Sequence, residues 1–246
     1  MNEGRKLTIQ MGFFFLVVFV LFGTIVVKEK SNVLFLPKIE NSITNYITEN
    51  YQDLELNTNK VNENNNKFTM KVTNKLNKNH YFYITYSNKK ITDTYKTDYK
   101  EGKTILNHLS KKLEKDLLEN TNKSYKVTFD NTLDNYSEKV QKEILSENIK
   151  TLKIYTIEKE ITSSWNPPEI TKQISTTMTT IEKASFTPKN YTITITNKDD
   201  ITESVKIFNI KSSIPNNVLE EIINNIINKN NSNTIKENKI TYEYLN

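Results

Sequence analysis

The chain has 246 residues, a net charge of +5 at pH 7 and no cysteine, which excludes disulfide bonds and thiolate metal sites. Only two histidines are available for a zinc site or a catalytic triad, and Gly102 is the only glycine beyond residue 27, which excludes glycine-rich phosphate-binding loops. Positive and negative charges are interspersed, whereas a nucleic-acid-binding protein usually carries basic clusters. We therefore expect no metal ion, no cofactor and no nucleic-acid partner.

The first long apolar stretch covers residues 7–27, which carry no charge. A helix of this length spans roughly 30 Å at ~1.5 Å per residue, which matches the hydrocarbon core of a bilayer. The stretch is longer than the apolar region of a secretory signal peptide, and no small-x-small cleavage site follows it. The sequence therefore predicts a short cytoplasmic tail at 1–6 and an uncleaved transmembrane anchor at 7–27, with membrane lipid as its partner.

The part of the chain after the anchor is predicted to lie outside the cytoplasm. Arg5 and Lys6 precede the apolar stretch, while Lys28 and Lys30 follow it, so both flanks count in the positive-inside rule. A short N-terminal tail followed by a long domain is the usual arrangement of an anchor whose N terminus stays inside. The predicted localisation is the cell membrane, with a single span. A regulatory protein facing the cytoplasm is the alternative.

A first α+β module is predicted at 28–135. Pro37 begins an amphipathic helix, because a proline is tolerated in the first helical turn. Apolar and polar residues alternate in KFTMKVT at 67–73 and in HYFYITY at 80–86, which predicts two strands joined by a polar turn. The segment at 91–99 is a third strand candidate.

Beyond Gly102, leucines recur at three- and four-residue steps and predict a water-soluble helix. Alternation at 125–129 predicts another strand. Residues 136–166 are predicted to form a connecting helix, strand and loop, and 167–246 a second α+β module. This second module has the same order of elements as the first: a helix, a hairpin, a helix and a strand.

The predicted fold class is therefore α+β, with an N-terminal transmembrane helix followed by two small helix–hairpin–helix–strand modules with antiparallel sheets. The modules match in the order of their elements and not in residue identity, so an internal duplication is a hypothesis.

The first half of the chain resembles a known family in four features. These are the apolar N-terminal stretch, the helix that ends in ITENY at 47–51, the hairpin, and ITDTY at 91–95 before a helix. The combination resembles the YfjL-like membrane-anchored extracytoplasmic proteins of Gram-positive bacteria, which carry small PepSY-like modules. The resemblance implies extracytoplasmic α+β modules and no established catalytic activity, so it assigns no site residue.

The single tryptophan, Trp165, lies in the segment SSWNPPE at 163–169, beside two consecutive prolines. Prolines cannot continue a helix or a central strand, so this segment is predicted to be a loop or a boundary. A tryptophan in a loop often anchors a binding partner, so Trp165 is the candidate partner contact. Alternatively, it fills the space between two domains.

Carboxylates are the remaining candidates for acid–base chemistry. The pairs are Asp93 with Asp98, Asp130 with Asp134, and Asp199 with Asp200. Their sequence context indicates turns and strand ends, where aspartate commonly shapes the backbone. His80 shares a predicted strand face with an aromatic residue and His108 lies in the leucine-rich helix, so packing or surface roles are expected for both.

The sequence thus predicts a non-enzymatic cell-envelope protein that binds a protein, a peptide or a wall polymer. An envelope hydrolase that uses carboxylates is a further alternative.

Overall fold

The computed structural model of the chain describes residues 35–228, 234–235 and 240–245. The predicted tail at 1–6 and the predicted anchor at 7–27 lie outside these residues. Within the described ranges, no helix combines the length and the apolar character needed to cross a membrane.

The chain divides into two compact units that are not continuous in sequence. The first unit contains the described residues up to Lys75 together with Phe82–Thr94, and the second contains Leu76–Tyr81 and the described residues from Tyr95 onward. This division differs from the predicted one, since residues 95–135 fall in the second unit.

The first unit consists of a helix and a five-stranded sheet. Helix α1 is described over residues 35–50 and buries Ile39 and Ile43. The sheet has the order β1–β3–β4–β5, and β2 also pairs with β3. The strands are β1 (Leu56–Thr58), β2 (Asn62–Asn64), β3 (Lys67–Asn74), β4 (Tyr81–Ser87) and β5 (Lys90–Asp93).

Two tight hairpin turns give this sheet its register. Asn65 and Asn66 join β2 to β3, and Asn88 and Lys89 join β4 to β5; all four residues have positive φ angles. Two consecutive left-handed residues form a type I′ turn, whose twist matches that of the strands it joins. Asparagine tolerates this conformation better than most residues, which explains why asparagine-rich turns occur in a chain with few glycines.

The second unit contains a six-stranded sheet with the order β10–β11–β9–β8–β7–β6. Its strands β7 and β8 are parallel and are joined through α4, whereas the other neighbouring strands are antiparallel. Its helices are α2 (Lys103–Thr121), α3 (Glu138–Leu145), α4 (Pro167–Lys183) and α5 (Asn216–Ile227). Its strands are β6 (Lys126–Phe129), β7 (Tyr155–Ser163), β8 (Asn190–Asn197), β9 (Ser204–Ile210), β10 (Thr234–Ile235) and β11 (Ile240–Leu245).

One contiguous apolar core lies between this sheet and its helices. In the central strands, every second side chain points into this core, as Tyr191, Ile193 and Ile195 do in β8. The helices contribute their apolar faces at three- and four-residue spacing, including Leu109 and Leu113 of α2. Packing of α4 against both α5 and β7 closes the core.

The predicted fold class is wrong in two respects, although the described chain is α+β with two sheets. The second sheet is mixed rather than antiparallel, and the helix and strand predicted to complete the first module, α2 and β6, belong to the second unit. The predicted membrane-spanning helix lies outside the described residues, among which no such helix is found. The error in the second sheet has a physical cause. Residues 155–163 alternate like any half-buried strand, and this pattern does not reveal whether the neighbouring strand is parallel. A parallel neighbour requires a crossover connection, which here is α4.

Residues 76–81 are held in the second unit by a hydrogen-bonded cluster around Glu147. Asn77 Nδ2 donates to the Leu145 carbonyl at 2.8 Å and to Glu147 Oε1 at 3.3 Å. Asn79 Nδ2 also donates to Glu147 Oε1, and Lys112 Nζ donates to Oε2. The adjacent lysine holds the pKa of Glu147 below its usual value.

His80 is buried in the same segment and stacks on Tyr99 with 3.8 Å between ring centroids. Because a carbonyl can only accept, the 2.8 Å contact with the Tyr99 carbonyl places the proton on Nε2. His80 Nδ1 is also buried, and no described residue supplies it with a hydrogen bond. Burial lowers the pKa of His80, so the imidazole is held neutral.

We predict that Gly102→Ala destabilises the protein. Gly102 precedes α2 with φ +74°, and an added Cβ would lie 2.4 Å from Leu133 Cβ. A side chain at this position would strain the left-handed backbone and would also overlap Leu133. The two effects together should lower the free energy of unfolding by about 2–4 kcal/mol, measured by urea denaturation. The control is Asn122→Gly at the left-handed C-cap of α2. This variant should change the free energy of unfolding by less than about 0.5 kcal/mol. Equal stability of Gly102→Ala and the wild type would contradict this account.

His80 should make the protein less stable in mild acid. The pKa of His80 is lower in the folded state than in the unfolded state, where it is about 6.5. Such a histidine adds stability at pH values above about 6.5, and this stability is lost as the pH falls below this value towards the folded-state pKa. Urea midpoints should therefore fall from pH 7.5 to pH 5.5, and His80→Phe, which keeps the stacked ring, should flatten this fall. The other histidine provides the control, since the urea midpoint of His108→Gln should still decrease between pH 7.5 and pH 5.5. An unchanged pH profile in His80→Phe would exclude His80 as the source.

Candidate functional site

Trp165 lies in the short connection between β7 and α4. The next residue, Asn166, is the N-cap of α4, and its side chain accepts a hydrogen bond from the Glu169 N–H at 3.3 Å. Pro167 follows at the first helical position, where its fixed φ suits the helix and its missing N–H costs nothing. The Asn166 N–H also donates to the Ser164 carbonyl at 2.6 Å. The backbone on both sides of Trp165 is therefore fixed by local hydrogen bonds.

The indole ring is fixed by a second contact, to the turn between β8 and β9. Trp165 Nε1 donates to Glu203 Oε2 at 2.6 Å. The same oxygen accepts from Asn197 Nδ2 at 3.1 Å, and the Asn197 N–H donates to the Glu203 carbonyl at 2.9 Å. A charged acceptor strengthens such a hydrogen bond, so the orientation of the half-buried ring is set before any partner arrives.

A cleft of about 290 Å³ opens beside this ring. Most of its walls are apolar or aromatic, and the Glu203 carboxylate supplies the charged group of the lining. The residues that line the cleft are Trp165, Thr202, Glu203, Ser204, Ile226, Ile227, Tyr244 and Leu245. All of them belong to the second unit.

The C-terminal strand forms one wall of the cleft. Tyr244 Oη donates to the Ile226 carbonyl at 2.6 Å, which ties β11 to the end of α5. Burial raises the pKa of Tyr244, so the phenol stays protonated and keeps donating at neutral pH. Leu245 follows it and is exposed. Ile201, next to the lining residue Thr202, is 78% exposed.

The size and lining of the cleft suit a small apolar group. Pockets for drug-sized ligands usually enclose about 300–1,000 Å³, so this cleft of about 290 Å³ is just smaller than that range. It can receive an apolar side chain of a partner, with exposed apolar residues such as Ile201 close by to extend the contact.

The structure places both histidines of the chain away from this cleft. His80 is stacked on Tyr99, as described above. His108 Nε2 lies 3.3 Å from Glu147 Oε1 and 3.1 Å from Asn79 Nδ2. Across the described ranges, no group of three or more histidine, aspartate or glutamate side chains is arranged to hold a metal ion.

The first carboxylate pair, Asp93 and Asp98, is divided between the two units. Asp93 Oδ2 accepts hydrogen bonds from the phenols of Tyr46 and Tyr51, the latter at 2.9 Å. Burial, its own hydrogen bond to Asp93 and its interaction with Tyr46 raise the pKa of Tyr51. Asp98 lies in a short π-helical segment, Tyr95–Lys100, where its main-chain carbonyl accepts from Thr104.

The other pairs lie in the connections that follow β6 and β8, where Asp134 is part of a short 3-10 helix, Leu133–Asn135. Asp130 bonds Thr156 at 2.8 Å and Lys189 at 2.9 Å, and Asp134 accepts from Thr132. Asp200 Oδ1 accepts from both the backbone N–H and the hydroxyl of Thr202, and these bonds lower the pKa of Asp200. The Asp199 N–H is bonded to Asn197 Oδ1. Turn roles were expected for these residues, and the hydrolase alternative itself stays a prediction.

Sequence reasoning selected Trp165 and missed the residues around it. Glu203 is 38 positions away from Trp165 and Tyr244 is farther still. No local pattern connects such positions, because they meet only after β8, β9 and β11 have paired.

Comparison of the chain with the models of known protein families, with curated proteins and with solved structures finds no match. The resemblance to YfjL-like proteins therefore stays a prediction.

We predict that Glu203→Ala loosens the indole ring of Trp165. The variant removes the acceptor of both Trp165 and Asn197 and should lower the free energy of unfolding by about 1–3 kcal/mol. Since Trp165 is the only tryptophan, acrylamide quenching of the intrinsic fluorescence reports on this ring directly, and quenching should rise. The matched control is Glu220→Ala on the exposed side of α5, which should leave quenching unchanged. Equal quenching in both variants would show that Glu203 does not hold the ring.

Proposed function

We propose that this chain is a non-catalytic binding protein of the cell envelope, and that its Trp165 cleft receives an apolar side chain from a protein or peptide partner. The observation that carries the proposal is the fixed indole ring in the wall of a small cleft that has both apolar and polar lining residues. Binding energy at protein interfaces concentrates in a few aromatic and apolar groups, of which tryptophan is among the most frequent.

The fixed ring supports binding for an energetic reason. A side chain that is ordered only on binding loses conformational entropy at that moment, which weakens the complex. The indole ring has already lost this freedom in the folded protein, because Glu203 accepts its N–H and Asn166 fixes the adjacent backbone. A partner that contacts the ring therefore gains the full benefit of apolar burial.

The proposed location rests on the sequence. The uncharged residues 7–27 would attach the chain to membrane lipid and keep the binding unit at the cell surface. A tethered protein meets other envelope components at a high effective concentration, so a small contact such as this cleft can be sufficient.

Site-directed crosslinking on intact cells tests both the location and the cleft. The chain has no cysteine, so Ile201→Cys places a single thiol beside the cleft, and Lys115→Cys places one on α2 as a control. A membrane-impermeant thiol-to-amine crosslinker should give a discrete adduct with Ile201→Cys. Adding Trp165→Ala should weaken that adduct by about tenfold, whereas Trp165→Phe should retain most of it.

Two results would contradict the proposal. Reaction of both thiols only after cell lysis would place this part of the chain inside the cell. An adduct that is equally strong with Trp165→Ala would show that the partner does not use the cleft.

A further inference from the structure

Two phenols and one carboxylate meet in the first unit, where the end of α1 approaches β5. Tyr46 lies near the C-terminal end of α1, Tyr51 directly follows this helix, and Asp93 is the last residue of β5. Both phenols donate to the same carboxylate oxygen, Asp93 Oδ2, and the bond from Tyr51 is 2.9 Å long. This cluster belongs to the first unit, whereas the Trp165 cleft lies in the second.

Packing holds the three side chains of this cluster in place. The Tyr51 ring contacts Phe82 edge to face, with 5.2 Å between ring centroids, and it contacts Tyr46 in the same way at 6.0 Å. Ile84 and Asp93 are direct neighbours in the pairing of β4 with β5, so Asp93 lies on the same side of the sheet as the fully buried Ile84. The positions of the three oxygen-bearing groups are therefore set before any ligand binds.

The spacing of these oxygens matches adjacent positions of an octahedral metal site. A small octahedral cation holds its oxygen ligands at about 2.0–2.1 Å, so neighbouring ligand oxygens lie about 2.9 Å apart. Tyr51 Oη and Asp93 Oδ2 have this separation of 2.9 Å, and the Tyr46 phenol interacts with both groups. All three residues are only partly buried, so water or a small anion can complete the coordination.

The chemistry of the three groups favours a trivalent cation. Tyrosine phenolate is a ligand of iron in proteins, and carboxylate oxygen is a ligand of hard cations generally. Two phenolates and one carboxylate carry three negative charges, which equal the charge of a ferric ion. A divalent cation would leave an uncompensated negative charge in a half-buried site, which is unfavourable. A site of this type uses neither cysteine nor histidine, so the composition of the chain does not exclude it.

We propose that Tyr46, Tyr51 and Asp93 bind a ferric ion. The ion takes the place of the two phenolic protons that lie between these oxygens. Two O–H bonds break, two iron–oxygen bonds form, and both protons pass to solvent, while no electron is transferred. The carboxylate supplies the third oxygen. Because its ligands come from the end of α1 and from β5, the bound ion links these two elements.

Titration of the purified full chain in neutral detergent with ferric citrate tests this proposal. Phenolate bound to ferric iron gives a charge-transfer band in the visible spectrum, which iron bound to carboxylates alone does not give. The band should saturate at one ferric ion per chain. Resonance Raman spectra excited in the band should show the ring modes of tyrosinate. Calcium in excess should not suppress the band, because it does not replace phenolic protons.

Substitutions of single phenols locate the site. Tyr46→Phe and Tyr51→Phe keep the rings and remove one ligand each. Each should weaken ferric binding by more than about tenfold, since loss of a group that merely orients a metal ligand already costs about 10–100-fold. The double variant should give no visible band. Urea midpoints confirm that each variant is folded.

The matched control is Tyr83→Phe in the same unit. Tyr83 precedes Ile84 in β4, so its side chain points to the opposite side of the sheet from Asp93. This variant should bind ferric iron within about twofold of the wild type, because it leaves all three ligands in place.

The proposal is overturned if the wild-type chain gives no visible band, if the double variant retains the band, or if Tyr83→Phe loses it to the same extent. The cluster would then serve only to hold α1 against β5. The wild-type titration needs no variant, so it decides the question even if a variant fails to fold.

Discussion

The arrangement of the second unit depends on one constraint, the parallel pairing of β7 with β8. Parallel neighbours cannot be joined by a tight turn, so the chain must cross back over the sheet before β8 begins. Helix α4 makes this crossing and buries Ile170, Ile174 and Ile181 in the core. The crossing must begin sharply at the end of β7, which explains the cap at Asn166 and the proline that follows. Trp165 is positioned beside the β8–β9 turn by the same requirement.

Much of the local structure could be predicted from the sequence. The leucine spacing after Gly102 predicted α2, and alternation predicted β3, β4 and β6, because each pattern reports the burial of one face. The long-range arrangement could not be predicted in this way. Strand β7 was assigned to a connecting segment, although it lies inside the six-stranded sheet, because its alternation indicates burial of one face and no particular neighbour.

The same distinction applies to the candidate sites. Trp165 was recognisable by its chemistry and its neighbouring prolines. Its partner Glu203 was not recognisable, since a glutamate in a polar turn has no local feature that reveals a buried hydrogen bond. Glu114 is a similar case: it lies on the polar face of a leucine-rich helix, and only the packing of α2 on β6 brings it to a backbone N–H. Both glutamates satisfy donors that would otherwise face a cavity.

The two units are discontinuous in sequence, and this limits the use of truncations to study either of them. Residues 76–81 interrupt the first unit and belong to the second, so the polypeptide passes from one unit to the other three times. A truncated chain that begins at residue 95 would look like a clean removal of the first unit. It would also remove Asn77 and Asn79 from the Glu147 carboxylate and His80 from the ring of Tyr99. Loss of activity in such a truncation would therefore report damage to the retained unit as well as absence of the other. Point substitutions are the safer means of assigning a role to either one.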